Sequence, residues 1–237
     1  MKDAVIKVIE ELIRANAAVW SHPQFEKGDL VRVNKTVWKE LLRVNEKLAR
    51  DLERALDERD VSAWETVKKA LEDSSEKIER IVEEDERVAK ESSDRIRRLV
   101  EEDKRVADEI LDLIEKGGDT DTLAKLVEEW SRTSKKLLDD VLKLHKDWSD
   151  DSRRLLEEIL RVHEELIRAV KEILDRGGAP EEVVRELEKV LKESLDTLEE
   201  IIRRLDEANA RTVKRVADVI RELEDANAKV LEEIERK

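Results

Sequence analysis

Apolar residues recur along this chain every three or four positions. Val5, Ile6, Ile9, Leu12, Ile13 and Val19 set the spacing at the start, and the same stripe continues to the far end. That period belongs to helices, with one face turned to a core. Breaks in the pattern are few and regular. Asp57-Glu58-Arg59-Asp60 precedes a fresh start at Val61. Gly117-Gly118 followed by Asp119 and Asp121 reads as a helix stop and then a new N-terminus. Gly177-Gly178-Ala179-Pro180 repeats the device, with Pro180 placed in the first turn, where its missing N–H costs nothing. The marks predict helices over about 1–58, 61–116, 119–176 and 179–237. At 1.5 Å per residue each would be ~85 Å long. Four equal segments joined by short turns predict an all-α, single-chain antiparallel up-down four-helix bundle, one domain over 1–237.

An internal repeat supports this division. Trp130 and Trp148, Ser134 and Ser152, and His145 and His163 each stand 18 residues apart. The second segment repeats IERIVEEDERVAK as IRRLVEEDKRVAD at the same interval, and Asn209 and Asn227 lie within a repeated Ala-Asn-Ala. Eighteen residues are about five whole turns, so a straight helix presents the same face each time. Nearly straight helices are therefore expected. The first segment obeys the same period: Asn16 pairs with Asn34, Trp20 with Trp38, Leu12 with Leu30, and Val19 with Val37.

One stretch interrupts that segment. Trp20-Ser21-His22-Pro23-Gln24-Phe25-Glu26-Lys27 holds one of the two prolines and the only phenylalanine. All eight residues match the Strep-tag II affinity peptide, which the stretch resembles letter for letter. The resemblance implies recognition by streptavidin and its engineered variants such as Strep-Tactin, with His22, Pro23 and Gln24 entering the biotin pocket. An anti-tag antibody is the other partner it implies. The peptide sits in register with the repeat: Trp20 takes the place of Trp38, Pro23 and Gln24 those of Leu41 and Leu42, and His22 and Phe25 those of the outward Glu40 and Arg43. A proline inside a continuous helix costs ~3 kcal/mol. Ser21 can instead cap a new helix, with Gln24 as its reciprocal partner and Pro23 in the first turn. A kink or short break near 20–28 is expected, with helix on both sides.

Several polar residues share the apolar stripe: Asn16, Asn34, Asp85, Asp103, Ser134, Ser152, His145, Asn209 and Asn227. Antiparallel neighbours keep a nearly constant index sum. This sets Asn34 opposite Asp85, Asn16 opposite Asp103, Asp85 near Ser149 and Ser152, and Asn209 near His145. One reading is repeated buried hydrogen-bond layers, which penalise shifted registers because an unpaired buried amide costs ~1–3 kcal/mol. In this the chain resembles computationally designed bundles with modular hydrogen-bond networks. The other is that some of these residues sit at the edge of the stripe and meet water. For Asp85 and Asp103 burial carries the cost of desolvating a carboxylate.

Composition narrows the function. Lys and Arg number 48 against 62 Asp and Glu, a net charge of −14, which disfavours nucleic acid and anionic membranes. There is no cysteine, hence no disulfide, thiolate nucleophile or cysteine metal site. No apolar run approaches the ~18 residues that span a bilayer. Asp3, Glu10 and Glu11 interrupt any signal-peptide core. A di-iron bundle needs Glu-x-x-His, but Leu142 and Leu160 stand three before His145 and His163. No phosphate loop, nucleophile elbow or zinc-protease motif is present. Trp38, Trp64, Trp130 and Trp148 read as packing residues. No enzyme activity, cofactor or metal is expected. The expected product is a soluble synthetic monomer with no natural compartment, suited to cytoplasmic expression. Its peptide is either displayed or caged, and caging resembles designed latch-and-cage switches. The alternative is a structural bundle whose tag serves only purification or antibody capture.

Overall fold

The computed structural model describes residues 2–20, 30–57, 64–177 and 180–235. Among these residues the chain is almost entirely helical and contains no strand. Five helices follow one another: α1 (Lys2–Trp20), α2 (Leu30–Asp57), α3 (Trp64–Glu115), α4 (Thr120–Arg176) and α5 (Glu181–Glu235). The expected interruption near 20–28 and the start at Val61 fall on residues outside the described set. Helix is described up to Trp20 and again from Leu30.

The chain divides into two compact units. The first holds Met1–Leu30, Lys90–Ser149 and Ala210–Lys237; the second holds Val31–Ala89 and Asp150–Asn209. Each gathers stretches from four helices around its own core. In the first unit, Val5, Ile9, Leu12 and Ile13 of α1 pack with Ala107 and Ile110 of α3 and with Leu123, Val127 and Trp130 of α4. The expected stripe on α1 needs one adjustment: Val8 is buried and Ile6 only half-buried, a small rotation of the same face. In the second unit, Leu48 and Leu52 of α2 meet Val67 and Leu71 of α3, Leu166, Val170 and Leu174 of α4, and Val183, Leu187 and Leu191 of α5. Burying each such aliphatic side chain contributes about 1.5–3 kcal/mol before ordering entropy is subtracted.

The α3–α4 turn follows directly from its glycines. Gly117 adopts φ +77°, a left-handed conformation that glycine reaches without steric cost. Its N–H donates to the Ile114 carbonyl at 3.0 Å, and the Gly118 N–H to the Leu113 carbonyl at 2.9 Å. Those two bonds satisfy the last carbonyls of α3 in a Schellman arrangement. Asp119 then caps α4, its carboxylate accepting from the Thr122 N–H and hydroxyl, both at 3.1 Å. Pro180 stands one residue before α5 rather than within its first turn. Its carbonyl accepts from the Val183 N–H at 2.9 Å and the Val184 N–H at 3.2 Å, so it opens the helix from the N-cap position. No helix among the described residues is long and apolar enough to cross a membrane.

Candidate functional site

The polar cluster of the first unit is built from the last turn of α1 outward. Trp20 ends α1 on the buried face, four residues after Asn16 and eight after Leu12, so one helical stripe carries all three inward. Its indole N–H donates to Asp103 Oδ2 on α3 at 2.5 Å. The other carboxylate oxygen, Oδ1, accepts from the indole of Trp130 on α4 at 3.0 Å. Trp20 and Asp103 are each only 1% exposed. Ser134, one turn beyond Trp130, stands beside the same carboxylate, but its hydroxyl does not close to full hydrogen-bond geometry. Burial pushes the Asp103 carboxyl above the usual carboxylate range. The Trp20, Ser134 and Trp130 donors pull it back, and the neighbouring Glu102 adds to the rise. One turn before Trp20, the Asn16 amide donates to Asn227 Oδ1 of α5 at 3.0 Å and to the Leu12 carbonyl at 2.9 Å.

A second tether lies ten residues further along the chain. The Leu30 N–H, at the first residue of α2, donates to Ser93 Oγ of α3 at 2.9 Å. A helix leaves its first N–H groups without internal partners, and Ser93 supplies one. Trp20 and Leu30 are ten residues apart, and so are their α3 partners Asp103 and Ser93 in the opposite direction. Both contacts are buried and belong to the first unit.

The second unit carries the related residues in a looser form. Trp38 donates to Asp85 Oδ2 at 2.6 Å. Ser152 stands beside that carboxylate and accepts from the Asn209 amide at 3.3 Å. Burial raises the Asp85 carboxyl, against the pull of Trp38 and Ser152. Asp85 Oδ1 finds no partner among the described residues, and neither polar atom of Asn34 does. Asn45 adds one bond, to Ser75 Oγ at 2.7 Å.

All nine polar residues singled out in the stripe are buried. Their pairing differs from the index-sum expectation in three places. Asp103 is bonded by Trp20 rather than Asn16, and Asp85 by Trp38 rather than Asn34. Asn209 meets Ser152 rather than His145. The bonds of Trp20 and Trp38 reach aspartates about one helical turn beyond the counted partners, whereas Asn45 and Ser75 meet as the count has it. An indole N–H can only donate and a carboxylate only accept, so tryptophan matches aspartate better than a carboxamide does. The sequence held this signal unread: the tryptophans at 20 and 38 ascend by 18 while the aspartates at 103 and 85 descend by 18. Trp38, Trp130 and Trp148 are buried as the packing reading expected, and Trp38 and Trp130 also donate to carboxylates, a role that reading did not include.

Among the described residues, His145 and His163 use different ring nitrogens. His145 Nδ1–H donates to the Val141 carbonyl of its own helix at 2.9 Å. His163 Nε2–H faces the Leu191 carbonyl of α5 at 3.4 Å, leaving Nδ1 without a partner among the described residues. A carbonyl only accepts, which fixes the proton position in each ring. Burial lowers both from the ordinary histidine value, so both are held neutral. Among the described residues no three His, Asp or Glu side chains converge as metal ligands do.

Of the octapeptide, only Trp20 is placed. Ser21, His22, Pro23, Gln24, Phe25, Glu26 and Lys27 lie outside the described residues, as does the expected kink at Pro23. No family model, curated protein or solved structure matches the chain.

Proposed function

We propose that this chain is a designed, single-chain, up-down four-helix bundle that cages a streptavidin-binding peptide at residues 20–27. Its partner is streptavidin or an antibody against the same peptide. It works as a binding module, with no chemistry of its own. The observation that carries the reading is the state of Trp20. The first residue of the octapeptide is 1% exposed, with its indole N–H bonded to a buried carboxylate. A partner that needs the peptide extended must first withdraw that indole from the core. Leu30, three residues after the last residue of the peptide, is likewise buried and bonded at its N–H. Caging of this kind lowers apparent affinity by the fraction of chains that are open.

The test compares streptavidin affinity of the full chain with that of the free octapeptide by biolayer interferometry. The full chain is expected to bind at least about ten-fold more weakly, the penalty for an open fraction of about one in ten or less. Equal affinities would mean that the peptide is displayed and that the bundle is a scaffold for purification or capture.

A further inference from the structure

We infer that His163 is an acid-sensitive latch on the α4–α5 seam of the second unit, holding the seam shut while its ring is neutral and releasing it when the ring is charged. The inference stands apart from the peptide and needs no part of the caging reading. His163 is 0% exposed, and its Nε2–H crosses from α4 to the Leu191 carbonyl of α5 at 3.4 Å. His145 differs, since its Nδ1–H bonds the Val141 carbonyl of its own helix. The second nitrogen of the His163 ring, Nδ1, is an acceptor in the neutral form and has no partner among the described residues. A proton arriving there creates a buried donor with no acceptor, on a ring that now carries a charge.

The surrounding core offers that charge no compensation. Leu48, Leu71, Leu166, Leu187 and Leu191 form one aliphatic cluster there. The polar side chains nearby are neutral. Asn45 bonds Ser75, Ser74 lines the α3–α4 groove with Val162 and Leu166, and Ser194 lies one turn after Leu191. The charged groups of the packing helices reach solvent instead. They are Lys47 and Asp51 of α2, Asp73 and Lys77 of α3, Glu165 of α4, and Glu188 and Glu193 of α5. Four of these hold salt bridges: Lys47 with Asp51, Glu188 with Lys171, and Glu193 with Lys189. Asp85 is the buried carboxylate of the second unit, and Ser152 beside it precedes His163 by eleven residues, about 16 Å along a helix. Burial accordingly holds the ring below the ordinary histidine value. Once charged, the ring is stabilised only by reaching water, and that requires α4 to part from a neighbour.

The experiment is hydrogen exchange of the full chain followed by mass spectrometry at about pH 7 and about pH 5, with labelling times scaled for the pH dependence of chemical exchange. His163→Gln keeps an N–H donor for the Leu191 carbonyl and cannot take up a charge; His145→Gln is the control in the other unit. In the wild type, protection of the α4 and α5 segments around Leu166, Leu187 and Leu191 is expected to fall at least about ten-fold on acidification. His145→Gln should show the same fall in those segments, and His163→Gln a change of less than about two-fold. Unchanged protection in the wild type would overturn the inference. So would a fall in His163→Gln equal to that of the wild type, or loss of the response in those segments in His145→Gln, because acid would then act on the bundle as a whole. Should His163→Gln fail to fold, nitrogen-detected NMR of the wild-type ring decides the matter. Protonation of His163 in step with the loss of protection supports the latch, and protonation while those segments stay protected overturns it.

Discussion

At the scale of single residues, the buried amides divide into those that are matched and those that are not. Asn16 donates to Asn227 and to its own helix, whereas both polar atoms of Asn34 lack a partner among the described residues. The 18-residue repeat makes the two positions equivalent in sequence, so sequence alone assigns them one role. The difference lies across the interface: Asn227 faces Asn16, but Asn209, its counterpart in the second unit, turns its amide to Ser152. Replacing a polar group is costly when it strands its partner and nearly free when it strands none. Asn16→Leu should therefore lower unfolding free energy by about 1–3 kcal/mol in urea titration, while Asn34→Leu should leave it unchanged or raise it. A comparable loss in both variants would show that Asn34 is bonded after all.

At the scale of elements, the all-helical class and several helix ends were legible. The helical period, the glycine stop at Gly117 and the cap at Asp119 placed the ends of α3 and α4 within a residue or so. These signals are local: a left-handed glycine and a carboxylate over free N–H groups need no knowledge of the rest of the chain. Pro180 was placed one residue too far inside α5, within the usual uncertainty of a helix end. Pairing between helices was less legible. Counting residues named the wrong donors for Asp103 and Asp85, because the count knows nothing of side-chain reach. The indole of Trp38, read as a packing group, and that of Trp20, read as part of the peptide, both find carboxylates. The polar stripe itself was visible from Asn16 to Asn227, but which of its members would close bonds was not. Their donors and acceptors must meet across helices far apart in sequence.

At the scale of the molecule, the buried titratable groups set how stability responds to acid. His145 and His163 are held below the ordinary histidine value of 6.5 by burial. An unfolded chain takes up those protons first as pH falls. Their contribution is present in full above pH 6.5 and is lost as pH drops through their lowered folded values. Asp85 and Asp103 act in the opposite sense. Their folded values lie above 3.8, so the native state binds protons first and regains stability as pH falls through that raised range. Replacing His163 with Gln removes one term of the first kind. The variant should lose less stability than the wild type between about pH 7 and 5, by up to about 1.4 kcal/mol for each unit of depression. Parallel losses in urea titrations would mean that His163 is reached by solvent. The proposed caging rests on Trp20, which ends α1 on its buried face. Val5, Ile9, Leu12 and Ile13 pack α1 into the core of the first unit, and Trp20 follows at its end. The most direct measurement is streptavidin affinity before and after deletion of residues 1–19. If α1 cages the peptide, the truncated chain binds at least about ten-fold more tightly than the full chain and approaches the free octapeptide. If the two chains bind equally well, the peptide is already open and the account is wrong.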